Sequence, residues 1–170
     1  MAFTVDFIDQ TTGHPRFNVD QTVRRGTRGP DGTLIQVLLN LLYFDLQPAA
    51  ARFGFTPPTD RLVEDGIVGD QTVILASHFF DAAPKSAGLV DFTQHPEAVG
   101  VDPMRAPGQL STRLHVRYFM DALNTFCSSL SAQLGNDRFR LLASAKSTPV
   151  SLRNALRTRK AVADKYRFGG

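Results

Sequence analysis

The chain has 170 residues, of which 42% are hydrophobic and 21% charged, and its formal net charge is +3. These proportions are typical of a globular protein with one domain or two small ones, and they exclude a chain that is disordered throughout. Its single cysteine, Cys127, excludes a disulfide within the chain, and no apolar run approaches the roughly 20 residues that cross a bilayer.

The first residues predict neither a leader nor a compact domain. Residues 1–6 lack the basic start and apolar core of a Sec signal, so we expect cytoplasmic synthesis, with later delivery outside or assembly into a particle left open. Residues 3–8 and 16–23 alternate apolar and polar side chains, which predicts a β-hairpin. Because an isolated hairpin is marginal in water, we expect residues 1–30 to form an arm that packs on the body or on a partner. A flexible, basic and glycine-rich link closes this region.

An apolar periodicity then predicts the first helix. It begins near Leu34, with Asp31 or Thr33 as its cap and a polar side at Gln36 and Asn40. The residues that follow the i, i+3, i+4, i+7 pattern are Leu34, Val37, Leu38, Leu41 and Leu42.

The next segment predicts a loop and a second helix. Pro57 and Pro58 favour a loop, the pair Asp65-Gly66 favours a tight turn, and a helix is expected to start near Gly69. The apolar or mixed face of that helix comprises Ile74, Leu75, His78 and Phe79.

The second half is predicted to be helical after an irregular connection. Residues 82–108 are rich in proline and glycine, and a regular apolar spacing then predicts a helix over about 110–134, capped by Gly135-Asn136. A short helix is expected over 137–145. A last helix, opened by Ser147 or Ser151, is expected to have a stripe of Leu152, Leu156 and Val162.

Two of these segments together resemble the peptidoglycan-binding domain of cell-wall hydrolases, a small three-helix module. That family has a helix of the type Leu-Gln-x-x-Leu-Asn-x-Leu, a loop Asp-Gly-x-x-Gly-x-x-Thr, and a helix that ends in Phe. Here residues 34–44 read Leu-Ile-Gln-Val-Leu-Leu-Asn-Leu-Leu-Tyr-Phe, and residues 65–72 read Asp-Gly-Ile-Val-Gly-Asp-Gln-Thr. The resemblance covers residues 31–81, and Asp70 stands where the family usually has proline.

The resemblance implies a non-catalytic module that recognises bacterial cell-wall peptidoglycan. Its ligand would lie beside the loop and on the polar face of the first helix, where aromatic and amide groups contact sugar or stem peptide. The alternative is that these residues only shape the turn. The candidate ligand-binding residues are Gln36, Asn40, Tyr43, Asp65, Gly66, Gly69, Asp70, Gln71 and Thr72.

The charge distribution supports a second hypothesis. Residues 137–170 carry nine basic and two acidic side chains, a net +7, whereas residues 1–136 sum to −4. The alternative function is therefore a structural or adaptor component of a phage particle, secretion apparatus or contractile injection machine, with self-association or a protein partner. Its candidate contact residues are Phe3, Phe7, Arg153, Arg157, Arg159 and Lys160. Nucleic-acid binding by the tail is a lesser alternative, because the tail lacks interleaved aromatic residues.

The sequence gives little sign of catalysis. Both glutamates, Glu64 and Glu97, fall in predicted loops, and Cys127 lies in an apolar helical stripe. The histidines lack metal-binding spacing, so we expect no enzyme, metal or cofactor.

The expected fold is therefore mainly α. A β-hairpin arm (1–30) precedes a peptidoglycan-binding-like helical bundle (31–81). An irregular connection (82–108) and a C-terminal helical segment (109–170) follow.

Overall fold

The structure, a computed structural model, describes residues 1–8, 11–20, 23–87 and 119–160. The side chains at 6–8, 84–87 and 121 lie outside the description. So do most of the predicted connection, the predicted helical residues 110–118 and the predicted stripe residue Val162.

The described residues are largely helical, with one small sheet, and in this coarse form the predicted mainly α class is confirmed. In chain order they form β1 (Phe3–Ile8), β2 (Pro15–Asn18), α1 (Pro30–Asn40), a π-helical turn (Leu41–Asp45), a 3₁₀ turn (Ala50–Phe53), α2 (Asp70–Ala87), α3 (Phe119–Leu134), α4 (Val150–Ala155) and β3 (Arg159–Lys160). Across these ranges, each helix is too short or too polar to cross a membrane. Residues 82–87, predicted as part of the connection, instead continue α2.

The sheet has the order β2-β1-β3. Its antiparallel β1–β2 pair, with Phe3 opposite Asn18, confirms the predicted hairpin. The hairpin also gains a third strand that the sequence did not predict, because β3 pairs in parallel with β1, placing Thr4 opposite Arg159. The Thr4 N–H donates to the Thr158 carbonyl at 3.0 Å, and the Thr4 hydroxyl donates to the Leu156 carbonyl at 2.7 Å.

The C-terminal segment differs from its prediction for the same reason. Helix α4 ends at Ala155, and two residues of strand follow at 159–160, so the basic residues of this segment do not share one helix face. The open backbone edge of β1 outweighs helix propensity here. The predicted helix over 137–145 is also wrong, since this stretch forms consecutive hydrogen-bonded turns.

Helix α1 lies at the centre of the described fold. It begins at Pro30, four residues before the predicted start, and Gly29 with φ +103° precedes it. Proline suits the first helical position because its missing N–H would have no partner there. All residues from 31 to 40 are buried, so the predicted polar side at Gln36 and Asn40 does not face solvent.

Helix α3 confirms the predicted helix in its described part, although Leu134, the last residue of the apolar spacing, is exposed. Phe119, Leu123 and Leu130 are buried. The helix ends in a Schellman motif, in which Gly135 has φ +62° and the Asn136 N–H donates to the Ser131 carbonyl at 2.9 Å. Burial also raises the pKa of the Cys127 thiol, as expected of a core cysteine.

Aromatic side chains join α2, α3 and the segment that follows α1 into one core. The Phe55 ring stacks on Phe79 at 5.6 Å between centroids and meets Phe126 edge-on at 4.7 Å. Phe79 in turn meets Phe119 at 5.0 Å. The long segment after α1 thus supplies Phe55 to the core, and α3 packs directly on the helices of the 31–81 segment.

The side chain of Asn124 holds the sheet to α3. It accepts a hydrogen bond from the Phe17 N–H at 2.9 Å and donates to the Phe17 carbonyl at 2.8 Å, as a further strand would. Asn124→Ala leaves two buried backbone groups unpaired, so we expect a loss of roughly 1–3 kcal/mol in unfolding free energy by urea titration. Asn154→Ala, at an exposed position of α4, is the control. Equal losses in the two variants would contradict this role.

Candidate functional site

The loop between the π-helical turn and α2 crosses α1 with alternating exposure. Leu62, Gly66 and Val68 are buried, whereas Val63 and Ile67 are exposed. Alternate side chains of this extended segment therefore anchor it to α1 while the others face solvent.

Gln36 of α1 clamps the centre of that loop. Its Nε2 donates to the Asp65 carboxylate at 3.1 Å and to the Ile67 carbonyl at 3.0 Å, while its Oε1 accepts from the Gly66 N–H at 2.8 Å. Thr72 is buried beside the same amide at 3.5 Å. Asp65, Gly66 and Ile67 lie in one loop, so a single buried side chain fixes its backbone, and Thr72 lies in the first turn of α2.

Asn40, one turn further along α1, clamps the start of the loop. Its Nδ2 donates to the Leu62 carbonyl and to Glu64, and its Oδ1 accepts from the Leu62 N–H, each at 2.9 Å. Glu64 also accepts from Arg138 at 3.0 Å, and Arg138 pairs with Asp45. This charged network attaches the segment after α3 to the loop.

Tyr43, which follows Gln36 and Asn40 along the chain, is also buried and hydrogen-bonded. Its hydroxyl shares a hydrogen bond of 2.8 Å with Nδ1 of His78, and its ring meets Phe55 edge-on. Burial, reinforced by the charge of Asp81, raises the pKa of Tyr43 above its ordinary value.

These contacts correct part of the predicted site. The prediction that Gln36, Asn40 and Tyr43 form an exposed ligand-binding face is wrong, because their side chains are buried and bonded within the fold. Gly66 and Thr72 are likewise buried. Gln36 and Asn40 are spaced one helical turn apart in α1, and each amide pairs with a different part of the loop.

The remaining candidates lie at the surface. Asp65, Asp70 and Gln71 are exposed, and Gly69 is half-exposed. Arg25 reaches this surface and pairs with Asp70 at 2.7 Å. We call the exposed set the loop rim: Arg25, Arg28, Asp65, Ile67, Asp70, Gln71 and Ile74.

Backbone pairing brings the basic link to the rim. The Gly26 N–H donates to the Val68 carbonyl at 2.9 Å, and the Val68 N–H donates to the Thr27 carbonyl at 3.0 Å. This pairing places the segment with Arg25 and Arg28 beside the loop, whereas the sequence predicted only a flexible link there. The glycines and arginines of that link are the sequence features from which this contact could have been suspected.

The surroundings of Asp65 favour the ionised form of its carboxyl group. The hydrogen bond from the Ile67 N–H lowers the pKa of the Asp65 carboxyl, and Gln36 and the charge of Arg28 lower it further against the opposing effect of burial.

This lowered pKa predicts an acid-sensitive loop. A carboxyl with a depressed pKa stabilises the fold above its unfolded pKa, and this stability is lost as pH falls through the folded pKa. We expect Asp65→Asn to make the unfolding midpoint in urea less dependent on pH between about 6 and 3. An unchanged pH dependence in the variant would contradict the assignment.

The residues proposed for partner contact are dispersed. Phe3 is 3% exposed and packs inside the fold, so the prediction that Phe3 contacts a partner is wrong. The Lys160 ammonium lies 4.7 Å from the Phe3 ring centroid and pairs with Asp20. Arg153 is half-buried, whereas Arg157 and Arg159 are exposed. The side chain of Phe7 lies outside the described residues.

A second polar cluster lies inside the fold. Ser128 Oγ is 3.1 Å from Nδ1 of His14 and 2.8 Å from the Thr12 hydroxyl. Ser128 is fully buried. Within the part of the chain that the structure describes, no group of three or more His, Cys, Asp or Glu side chains has a metal-binding arrangement.

The loop rim is thus a small, rigidly supported surface that combines both signs of charge with two exposed aliphatic side chains. Comparisons of the chain with protein-family models, curated proteins and solved structures gave no match.

Proposed function

We propose that this protein is a non-catalytic binding module for bacterial cell-wall peptidoglycan, that residues 31–81 form a peptidoglycan-binding-like bundle, and that the loop rim contacts the ligand. The observation that carries the proposal is the clamped loop, in which Gln36 fixes Asp65, Gly66 and Ile67 from behind while the rim faces solvent. The buried residues of the loop motif, Gly66, Val68 and Thr72, thereby support a surface that its exposed residues form.

Rigidity favours a binding role for this loop. A surface that is already ordered loses little conformational entropy on contact with a ligand. Gln36 and Asn40 hold the loop from α1, and the Gly29 N–H donates to the Gly66 carbonyl at 3.1 Å. This support resembles the packing that keeps designed binding sites in a productive geometry.

The chemistry of the rim suits peptidoglycan. This polymer joins glycan strands through short peptides that carry carboxylates, amines and alanine methyl groups. Arginines such as Arg25 and Arg28 recognise carboxylates through paired N–H donors. Asp65 and Asp70 offer acceptors for amines, while Ile67 and Ile74 offer apolar contact.

Part of each contact segment proposed for the adaptor alternative is engaged within the fold, whereas Arg157 and Arg159 are exposed. The hairpin pairs with β3, and Lys160 is engaged with Asp20 and with the Phe3 ring. A partner would have to displace these contacts to reach Phe3 or Lys160.

Co-sedimentation with insoluble sacculi tests the proposal. We expect the purified protein to sediment with sacculi, and the triple variant Arg25→Gln, Asp70→Asn, Gln71→Ala to remain in the supernatant with its thermal midpoint unchanged. The matched control is Arg140→Gln with Asp137→Asn, which removes another exposed ion pair.

A wild-type protein that stays in the supernatant at low and moderate salt would overturn the proposal. Concentration-dependent self-association in light scattering, together with that result, would favour the adaptor function instead.

A further inference from the structure

We infer that the loop rim reads the peptide part of peptidoglycan, at a position that presents both a carboxylate and an ammonium group, and not the glycan strand. This inference rests on the proposed function and names the ligand class of the same surface.

The aromatic residues of the described module are poorly placed to stack on sugar. Tyr43, Phe55 and Phe79 are fully buried. Phe44 is half-buried, and the Arg61 guanidinium lies over its ring at 5.8 Å. Phe53 is partly exposed, but it packs against the Phe126 ring of α3 at 6.1 Å between centroids. The rim as defined contains no aromatic side chain, so flat apolar contact with a pyranose ring has no platform there.

The charged groups of the rim favour a ligand that carries both charges. Arg25 and Asp70 are 67% and 71% exposed, and an ion pair so exposed contributes little to stability. Its two groups therefore exchange partners at little cost, the guanidinium to a ligand carboxylate and the carboxylate to a ligand ammonium. Arg28 and Asp65 are also exposed, so the rim carries a second basic and a second acidic side chain.

The other charged cluster of the module provides a contrast. Arg138 links Asp45 to Glu64, and these three side chains are only 17–21% exposed. Arg61 binds Asp45 through both of its terminal nitrogens, at 2.6 and 3.1 Å. An interlocked network of this kind holds segments together, whereas the rim pair has one exposed contact and remains accessible.

The apolar part of the rim matches a peptide with small side chains. Ile67 and Ile74 are 43% and 48% exposed, and Gln71 lies one helical turn before Ile74. A glutamine amide at this point is suited to pair with a peptide backbone, while the two isoleucines accommodate alanine methyl groups.

Competition with soluble fragments tests the inference. Protein bound to sacculi is challenged with the synthetic peptide L-Ala-γ-D-Glu-L-Lys-D-Ala-D-Ala, with glycan strands stripped of peptide by an amidase, and with the same peptide acetylated at lysine and at its N-terminus. We expect the free peptide to release the protein and the stripped glycan to leave it bound. We expect acetylation to weaken competition about tenfold, the effect of losing one charge-assisted contact.

Two conservative variants test which rim side chain contacts which charged group of the peptide. Asp70→Asn should make the protein indifferent to acetylation, and Arg25→Gln should make it indifferent to amidation of the peptide carboxylate. Arg140→Gln and Asp137→Asn are the controls and should retain both preferences.

The outcomes separate the inference from the proposed function. Release by stripped glycan but not by peptide would overturn the inference while sacculus binding stands. Absence of sacculus binding would overturn the proposed function. In that case, backbone NMR shifts at residues 65–74 on adding the peptide would sustain the inference, and unchanged shifts would end it.

Discussion

Replacing Gly66 by alanine is expected to lower the free energy of unfolding by roughly 2–4 kcal/mol. Gly66 has φ +78°, a backbone conformation that residues with a Cβ rarely adopt. A Cβ at this position would also lie 2.6 Å from the Thr33 hydroxyl oxygen and 2.8 Å from the Gly29 carbonyl oxygen. Strain and overlap therefore act together, and urea unfolding measures their sum.

Gly69→Ala is the matched control for this prediction. A Cβ at Gly69 meets no atom within 4 Å, and Gly69 is absent from the described glycines with positive φ. We expect a loss below about 1 kcal/mol, the usual cost of alanine next to a helix start. Equal losses in the two variants would contradict the account of the loop.

Replacing Gln36 by leucine is expected to cost a similar amount, roughly 2–4 kcal/mol. The leucine fills much of the same space but leaves the Gly66 N–H and the Ile67 carbonyl without the partner that Gln36 provides. Buried polar groups that lose their partners retain the full cost of leaving water. Chemical denaturation gives the loss, and hydrogen exchange at the Gly66 amide should become faster.

Gln71→Leu is the control, since it makes the same substitution on the exposed rim. We expect a change within about 0.5 kcal/mol, because Gln71 faces solvent. The two variants should also reduce binding to sacculi for different reasons. Gln36→Leu should bind sacculi weakly at temperatures where the loop has loosened, whereas Gln71→Leu should reduce binding with stability intact.

The features that the sequence predicted well are those determined locally. The Asp65-Gly66 turn, the start of α2 and the cap at Gly135 each depend on a few adjacent residues, and all three are present. Apolar periodicity likewise predicted α1, because its regular leucines require a helix.

The burial of the polar side chains of α1 could not be predicted from the sequence. Periodicity assigned Gln36 and Asn40 to an exposed face, yet partners 22 to 31 residues away enclose both amides. An amide that accepts and donates backbone hydrogen bonds is stable inside a core, and its residue type alone does not reveal those partners.

The candidate site shifted for the same reason. The predicted site contained Asp65, Asp70 and Gln71 of the rim. It also contained the buried Gln36 and Asn40, and Arg25 was assigned to a flexible link. Only the pairing of that link with Val68 brings the guanidinium to Asp70. The two-residue strand β3 was also missed, since its pairing depends on an edge more than 150 residues away in sequence.

The parallel pairing of Thr4 with Arg159 has a consequence for synthesis of the protein. A ribosome makes the β1–β2 hairpin early, but the third strand emerges only after residue 160 has left the exit tunnel. Until then one edge of β1 presents unpaired backbone groups, which readily join the strands of neighbouring nascent chains. We therefore expect this edge to be a site of intermolecular pairing in the nascent chain until Arg159 and Lys160 are available to cover it.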